Sequence, residues 1–239
     1  MTLHMVQLVP DLARLTRWAD ARGLLDRRRE DDLGYALHAV LLAAFGPLAP
    51  APFVLLQAPT LRLLAYGAHD AGALRDHVQS FAEPDVAALV GLDTLATKEM
   101  PALIPQGRRL GFSVRARPTI RTDRDGDRTR VRERDAFLAA IEGTEPDAGP
   151  SRGDVYQAWL AHRMEAGGAV AEHVVLQGFR RSVTLRRDRA RKLHAMEGPD
   201  ASFSGALRVV DPDRFAGLLA HGVGRHVAFG YGMLLLKPA

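Results

Sequence analysis

RRLGFSVRARPTIRT, residues 108–122, alternates Leu110, Phe112, Val114 and Ala116 with charged or small neighbours. A period of two over this length marks a strand with one face buried, and it turns Arg115 and Arg117 outward. Toward the N-terminus, LHMVQLV (3–9), stopped by Pro10, reads as a first strand, followed by a polar linker carrying Arg27, Arg28 and Arg29. A helix over about 33–45 has Asp31 and Asp32 at its start and Gly46 and Pro47 at its end. PFVLLQAPTLRLLAY (52–66) reads as two strands about a Pro-Thr turn, and 71–81 and 84–91 read as helices. With 108–122 as the closing strand, the order is βαββαβ, the ferredoxin-like unit.

In the other direction, TDRDGDRTRVRERD (122–135) is highly charged and contains the turn signal Asp125-Gly126, which sets a boundary between domains at 1–125 and 126–239. The second part repeats the ingredients of the first. A helix near 133–142 leads into a Pro/Gly-rich loop, and Ser151 with Asp154 forms a capping box for a helix to about 166. EHVVLQGF (172–179) and RRSVTLRR (180–187) read as the two arms of a hairpin. The strand SFSGALRVV, the helix PDRFAGLLAHG and a glycine-rich turn into VAFGYGMLLLK complete the chain. The fold class expected is α+β, two tandem ferredoxin-like (RRM-like) domains.

Among 239 residues there is no cysteine, which removes disulfides, thiolate metal sites and a cysteine nucleophile together. The apolar run Tyr35–Leu56 is broken by His38, Gly46, Pro47, Pro50 and Pro52, so no membrane partner is expected. The N-terminal residues lack a basic segment followed by an apolar one, and a cytoplasmic protein is expected. Net charge is +4, but unevenly spread: residues 1–101 carry 9 basic and 12 acidic side chains, residues 102–197 carry 19 and 13. With Lys only at Lys98, Lys192 and Lys237, the basic groups are arginines, whose planar forks suit phosphates. The densest runs hold Arg108, Arg109, Arg115 and Arg117, then Arg180, Arg181, Arg186, Arg187, Arg189, Arg191 and Lys192. With 6% aromatic residues for stacking single-stranded bases, a structured RNA read by shape and phosphates is the better match.

GVGRHVAFGYG (222–232) departs from a dinucleotide fingerprint, because Val227 takes the third glycine position and a helix precedes it. Gly222 and Gly224 can still offer backbone N–H groups to a phosphate, and Gly230 and Gly232 fall on one face of the last strand. A helix cap followed by a bulged strand explains the spacing equally well. GPSRG (149–153) lies in a loop with no strand before it, and the capping role already accounts for Ser151. The nine histidines form no HExxH or HxH pair, so no metal and no cofactor is expected. On the 33–45 helix, Leu33, Leu37, Val40, Leu41 and Ala44 form a core stripe, and Tyr35 and His38 lie side by side away from it. Such a pair can move protons near neutral pH; an ordinary surface pair is the alternative.

The order of YALHAVLLAAFG, GFSVRARPTIR, an arginine-rich hairpin and GVGRHVAFGYGMLLL resembles the CasE-type CRISPR RNA-processing endoribonucleases of the RAMP superfamily, over nearly the whole chain. The resemblance implies cleavage of the repeat hairpin of precursor CRISPR RNA without metal, with the mature product kept as part of a Cascade-like complex with other effector subunits. By position it makes His38 the catalytic histidine and Tyr35 its supporting tyrosine. It makes Gly222, Gly224, Arg225, His226, Gly230 and Gly232 the glycine-rich loop, and the Arg180–Lys192 hairpin the element that docks on the stem. RARPTIR stands where the family usually has Asn before Pro, and no lysine lies near Tyr35 or His38 in sequence. A RAMP subunit that holds RNA without cutting it, and a basic RNA-associated structural protein, are the alternatives.

Overall fold

The computed structural model describes residues 2–25, 33–57, 61–122, 132–145, 149–187 and 193–239. The first domain runs β1 (His4–Leu8), α1 (Leu12–Ala21), α2 (Gly34–Phe45), β2 (Phe53–Leu56), β3 (Arg62–Gly67), α3 (Ala71–Phe81), α4 (Pro84–Val90) and β4 (Ala96–Glu99). Its sheet has the order β2-β3-β1-β4, all antiparallel. The second runs β5 (Arg109–Ala116), β6 (Thr119–Thr122), β7 (Arg132–Asp135), α5 (Ala136–Ala140), α6 (Arg152–Ala166), β8 (Ala169–Arg187), β9 (Leu193–Val209), α7 (Pro212–His221) and β10 (Leu235–Pro238). Its sheet has the equivalent order β10-β5-β9-β8, with β6 and β7 pairing as a separate ribbon. Both sheets are ferredoxin-like, as the sequence led us to expect.

The opening strand, however, belongs to the second sheet. β5 pairs with β9 and β10, and the first sheet is closed by β4, whose burial is too slight to show as an apolar alternation. The division between the sheets therefore falls at 100–108 and not at 125/126. The turn chemistry of Asp125-Gly126 lies outside the described residues, between the two strands of the β6–β7 ribbon. Part of the segment taken for a polar linker is α1, whose N-cap Asp11 accepts from Arg14 N at 3.0 Å. The 33–45 helix is α2, but Asp31 and Asp32 lie outside the described residues. Residues 172–187 form one strand rather than a hairpin: β8 is 19 residues long, and its partner is β9. The helix placed at 133–142 begins only at Ala136, after β7. Gly230 and Gly232 are not in the last strand but precede it, with φ of 84° and 76°.

The two domains share the first sheet. Val6, Leu8, Phe53, Leu63 and Ala65 face the helices α1–α4, whereas Met5, Val54, Leu64 and Tyr66, one residue out of step, enter the second core with Phe112, Tyr156, Leu160, Phe203 and Phe215. A strand buried on both faces ties two cores into one body. Tyr66 fixes the contact, its hydroxyl donating to the Leu234 carbonyl at 3.0 Å. Burial pushes that phenol up to about 12, so it stays a neutral donor.

Candidate active site and nucleic-acid interface

α2 carries Tyr35 and His38. Leu37, Val40, Leu41 and Ala44 bury its core face, with Phe45 as well, while Leu42 remains exposed. Tyr35 and His38, three residues apart, are half-buried, their rings 6.4 Å apart. What covers them is Phe229. Its ring stands edge-on to His38 at 5.2 Å and tilted to Tyr35 at 5.9 Å. Burial holds the His38 imidazole below its ordinary pKa, so at neutral pH it is uncharged and able to accept a proton.

Phe229 is placed by the loop 222–232. Val223 N donates to Gly232 O at 2.8 Å and Gly232 N to Arg115 O at 2.7 Å, closing the neck of the loop. Gly222, Gly224, Gly230 and Gly232 all have φ between 76° and 84°. At Gly232 a Cβ would stand 2.6 Å from Val223 O, so the neck needs glycine for space as well as for φ. Beyond the neck, Gly224 lies against Trp159 of the second domain and Gly230 against Phe53 of the first. The loop thus spans both domains and brings its 227–229 turn onto α2.

His226 and Arg225 meet a carboxylate the sequence reading did not single out. Glu133, on β7, receives the His226 ring nitrogen Nε2 at 2.8 Å and the Thr119 hydroxyl at 2.7 Å, and pairs with Arg225 Nε at 3.2 Å. Burial alone would raise Glu133; the hydrogen bonds from His226 and Thr119 and the charges of His226 and Arg225 outweigh it and hold the carboxyl at about 2.

The arginines divide. Arg117 is buried, not outward: Nε donates to Pro199 O at 3.1 Å, Nη1 to Thr184 Oγ1 at 2.5 Å and Nη2 to Ser182 O at 3.1 Å. It lies past the end of β5, where the period of two no longer applies, and serves as a strut under the β8–β9 hairpin. Arg115 is half-buried, held by Asp200 through two bonds of 2.8 Å and stacked 4.4 Å from the Tyr231 ring. Arg180 reaches the same Asp200 at 2.7 Å yet is 66% exposed. Arg181 pairs with Glu197, and Arg109 shares Glu172 with Arg208; both arginines are exposed, as is Arg108. Arg186 and Arg187 end β8, while Arg189, Arg191 and Lys192 lie outside the described residues. From Arg180 outward β8 and β9 stay paired past the end of β5, which pairs β9 only as far as Ala201, for about 25 Å, with Ser182, Thr184 and Leu185 buried along the way.

Residues 3–238 match the protein family described as "CRISPR associated protein". The chain belongs to this family. Among curated proteins, the CRISPR-associated endoribonuclease Cse3 of Thermus thermophilus is 28% identical over 170 residues, 67% of this chain and 72% of that protein. Among solved structures, Thermus thermophilus Cse3 bound to an RNA representing a pre-cleavage complex superposes with a TM-score of 0.59 at 21% identity, over all of both chains. The CRISPR-associated protein Cas6e from Escherichia coli K-12 does so with 0.53 at 18%, again over all of both. These two likenesses are of fold. Among the described residues of this CRISPR-associated protein, no helix is long and apolar enough to cross a membrane, and no three His, Cys, Asp or Glu side chains gather as a metal site would require.

The fold brings His38 and Tyr35 together with the glycine loop, and Arg115 with Arg180. It withdraws Arg117 from the surface. Phe229, Glu133, Asp200 and Tyr231 went unnoticed in the sequence; for Phe229 and Tyr231 the signal present was an aromatic on either side of Gly230.

Proposed function

We propose that the protein is a metal-independent endoribonuclease that binds the stem-loop of CRISPR repeat RNA, cleaves precursor CRISPR RNA and keeps the mature product within a Cascade-like effector complex in the cytoplasm. The observation that carries this reading is the half-buried His38 on α2, packed with Tyr35 against a loop that joins both domains. The ribose 2′-OH is the nucleophile. In-line attack on the adjacent phosphorus forms the new P–O bond and breaks the P–O5′ bond. The 2′-OH proton is lost to a base and the departing O5′ gains one, leaving a 2′,3′-cyclic phosphate and a 5′-OH. The protein aligns the two oxygens, moves the protons and stabilises charge on the phosphoryl group. His38 exchanges a proton with one of the two, and Tyr35 orients it.

For RNA binding we assign Arg108, Arg109, Arg115, Arg180, Arg181, Arg186, Arg187, Arg189, Arg191 and Lys192, with the loop residues Gly222, Gly224, Arg225, His226, Gly230 and Gly232. The exposed Arg180 and Arg181 on the long hairpin suit phosphates along a stem. The relative Cse3 is named an endoribonuclease and has a structure with RNA, which supports the same use here. Incubated with its cognate repeat RNA in EDTA, the protein should cut once and leave a cyclic phosphate, and His38→Ala should lose about 10²-fold or more in rate. Binding without cleavage by the unaltered protein would instead make it a holding subunit.

A further inference from the structure

Glu133 sits on the β6–β7 ribbon, an excursion between the first strand and the first helix of the second domain, well separated in sequence from α2. Three groups converge on its two oxygens: Thr119 Oγ1, diagonally across the ribbon, His226 Nε2 and Arg225 Nε. His226 is the one non-glycine residue with positive φ among the described residues, at 63°. That conformation is strained for a side-chain-bearing residue, and it persists where surrounding contacts hold it. Here the holding contact is the carboxylate, since the His226 side chain is 7% exposed and points at Glu133. His226 also opens the 227–229 turn, its carbonyl accepting from Phe229 N at 2.8 Å. Phe229 then covers His38 and Tyr35.

We infer that Glu133 is a positioning residue for the active site: by clasping His226 it sets the turn that packs Phe229 against His38. The inference rests on reading His38 as the residue that moves the proton. Glu133 touches no reacting group. It acts through four links, carboxylate to imidazole, imidazole to backbone, backbone to phenyl ring, phenyl ring to His38. Its carboxyl, held at about 2, is an anion throughout the range in which an RNA-cutting histidine works.

The test takes the full chain with Glu133→Ala, Glu133→Gln, His226→Ala and Phe229→Ala. Two quantities are read: the His38 imidazole titration by NMR without RNA, and the single-turnover cleavage rate beside the Kd for the repeat stem-loop. Glu133→Ala should move the His38 midpoint up toward the ordinary value, because Phe229 no longer shields the ring. It should also slow cleavage about tenfold or more with little change in Kd. Glu133→Gln, which keeps an acceptor for Thr119 and His226, should recover most of the rate. In the His38 midpoint and in the cleavage rate at saturating RNA, combining Glu133→Ala with His226→Ala should cost no more than either change alone, since both break one link. If Glu133→Ala fails to fold, Glu133→Gln and Phe229→Ala carry the test, and a Phe229→Ala protein with the His38 midpoint of the parent overturns the last link. A Glu133→Ala protein that keeps both the parent titration and the parent rate overturns the whole. So does one that loses affinity with an unchanged rate. The titration is read without RNA, so it stands or falls apart from any result with His38→Ala.

Discussion

His38 shows how one packing contact sets chemistry. The ring lies off the core stripe of α2, where helical spacing alone makes it a surface residue, yet it is half-buried, with Phe229, 191 positions later in the chain, packed edge-on against it. Desolvation disfavours the imidazolium, so the folded protein binds a proton here less readily than the unfolded chain. His38 therefore costs no stability above the unfolded value of about 6.5 and progressively more as pH falls below it, until the folded value is passed. In single-turnover cleavage at subsaturating RNA, where the pH profile reports the free protein, the limb belonging to His38 should have its midpoint on the acid side of 6.5. That limb should disappear in His38→Ala; a midpoint above 6.5 would contradict the burial. Arg117 gives the opposite lesson. Its alternation with Arg115 was legible, but the hydrogen bonds that withdraw it come from β8 and β9, 65 or more residues away, and no local pattern records them.

Elements with strong local chemistry were legible. Ser151 caps α6, accepting from Asp154 N at 3.1 Å, as the Ser-x-x-Asp spacing implies, and Gly222 and Gly224 have the positive φ that their place in the loop allows. Elements defined by their partners were not. β8 reads from sequence as two arms meeting between Phe179 and Arg180, whereas the structure runs straight through that point, with a bulge at Gln177 between Leu176 opposite Phe203 and Gly178 opposite Ser202. The difference matters for function, because a continuous strand makes a long arm with Arg180 and Arg181 at its root. Each of these arginines already faces a carboxylate, Asp200 or Glu197, and the exposed Arg181 pair is weak in water. Replacing Arg180 and Arg181 together by Ala should lower the steepness of log K against log salt by about 0.9 for each phosphate the protein no longer neutralises. An unchanged slope would place the stem elsewhere.

At the scale of the molecule, composition and element order sufficed for two ferredoxin-like domains, but assigning residues 108–122 to the first was an error that order alone could not reveal. β5 satisfies the pattern of a closing strand equally well as the last of one sheet or the first of the next; only pairing decides, and it pairs with β9 and β10. Because the first sheet is buried on both faces, the domains should unfold together. Trp18 reports on the first core and Trp159 on the second. Variants retaining either tryptophan should each show fluorescence and far-ultraviolet circular dichroism midpoints that coincide in urea; a fluorescence transition separated from its own dichroism curve would mean independent domains. The same joint architecture lets a loop of one domain complete the site of the other, and the chemistry assigned to that site draws its nucleophile from the RNA. The most direct measurement is single-turnover cleavage, in EDTA, of the cognate repeat RNA with the 2′-OH next to the scissile phosphate replaced by hydrogen. The account predicts that the deoxy RNA binds with near-normal affinity and is not cut. Cleavage of the deoxy RNA at the rate of the unmodified one would contradict it.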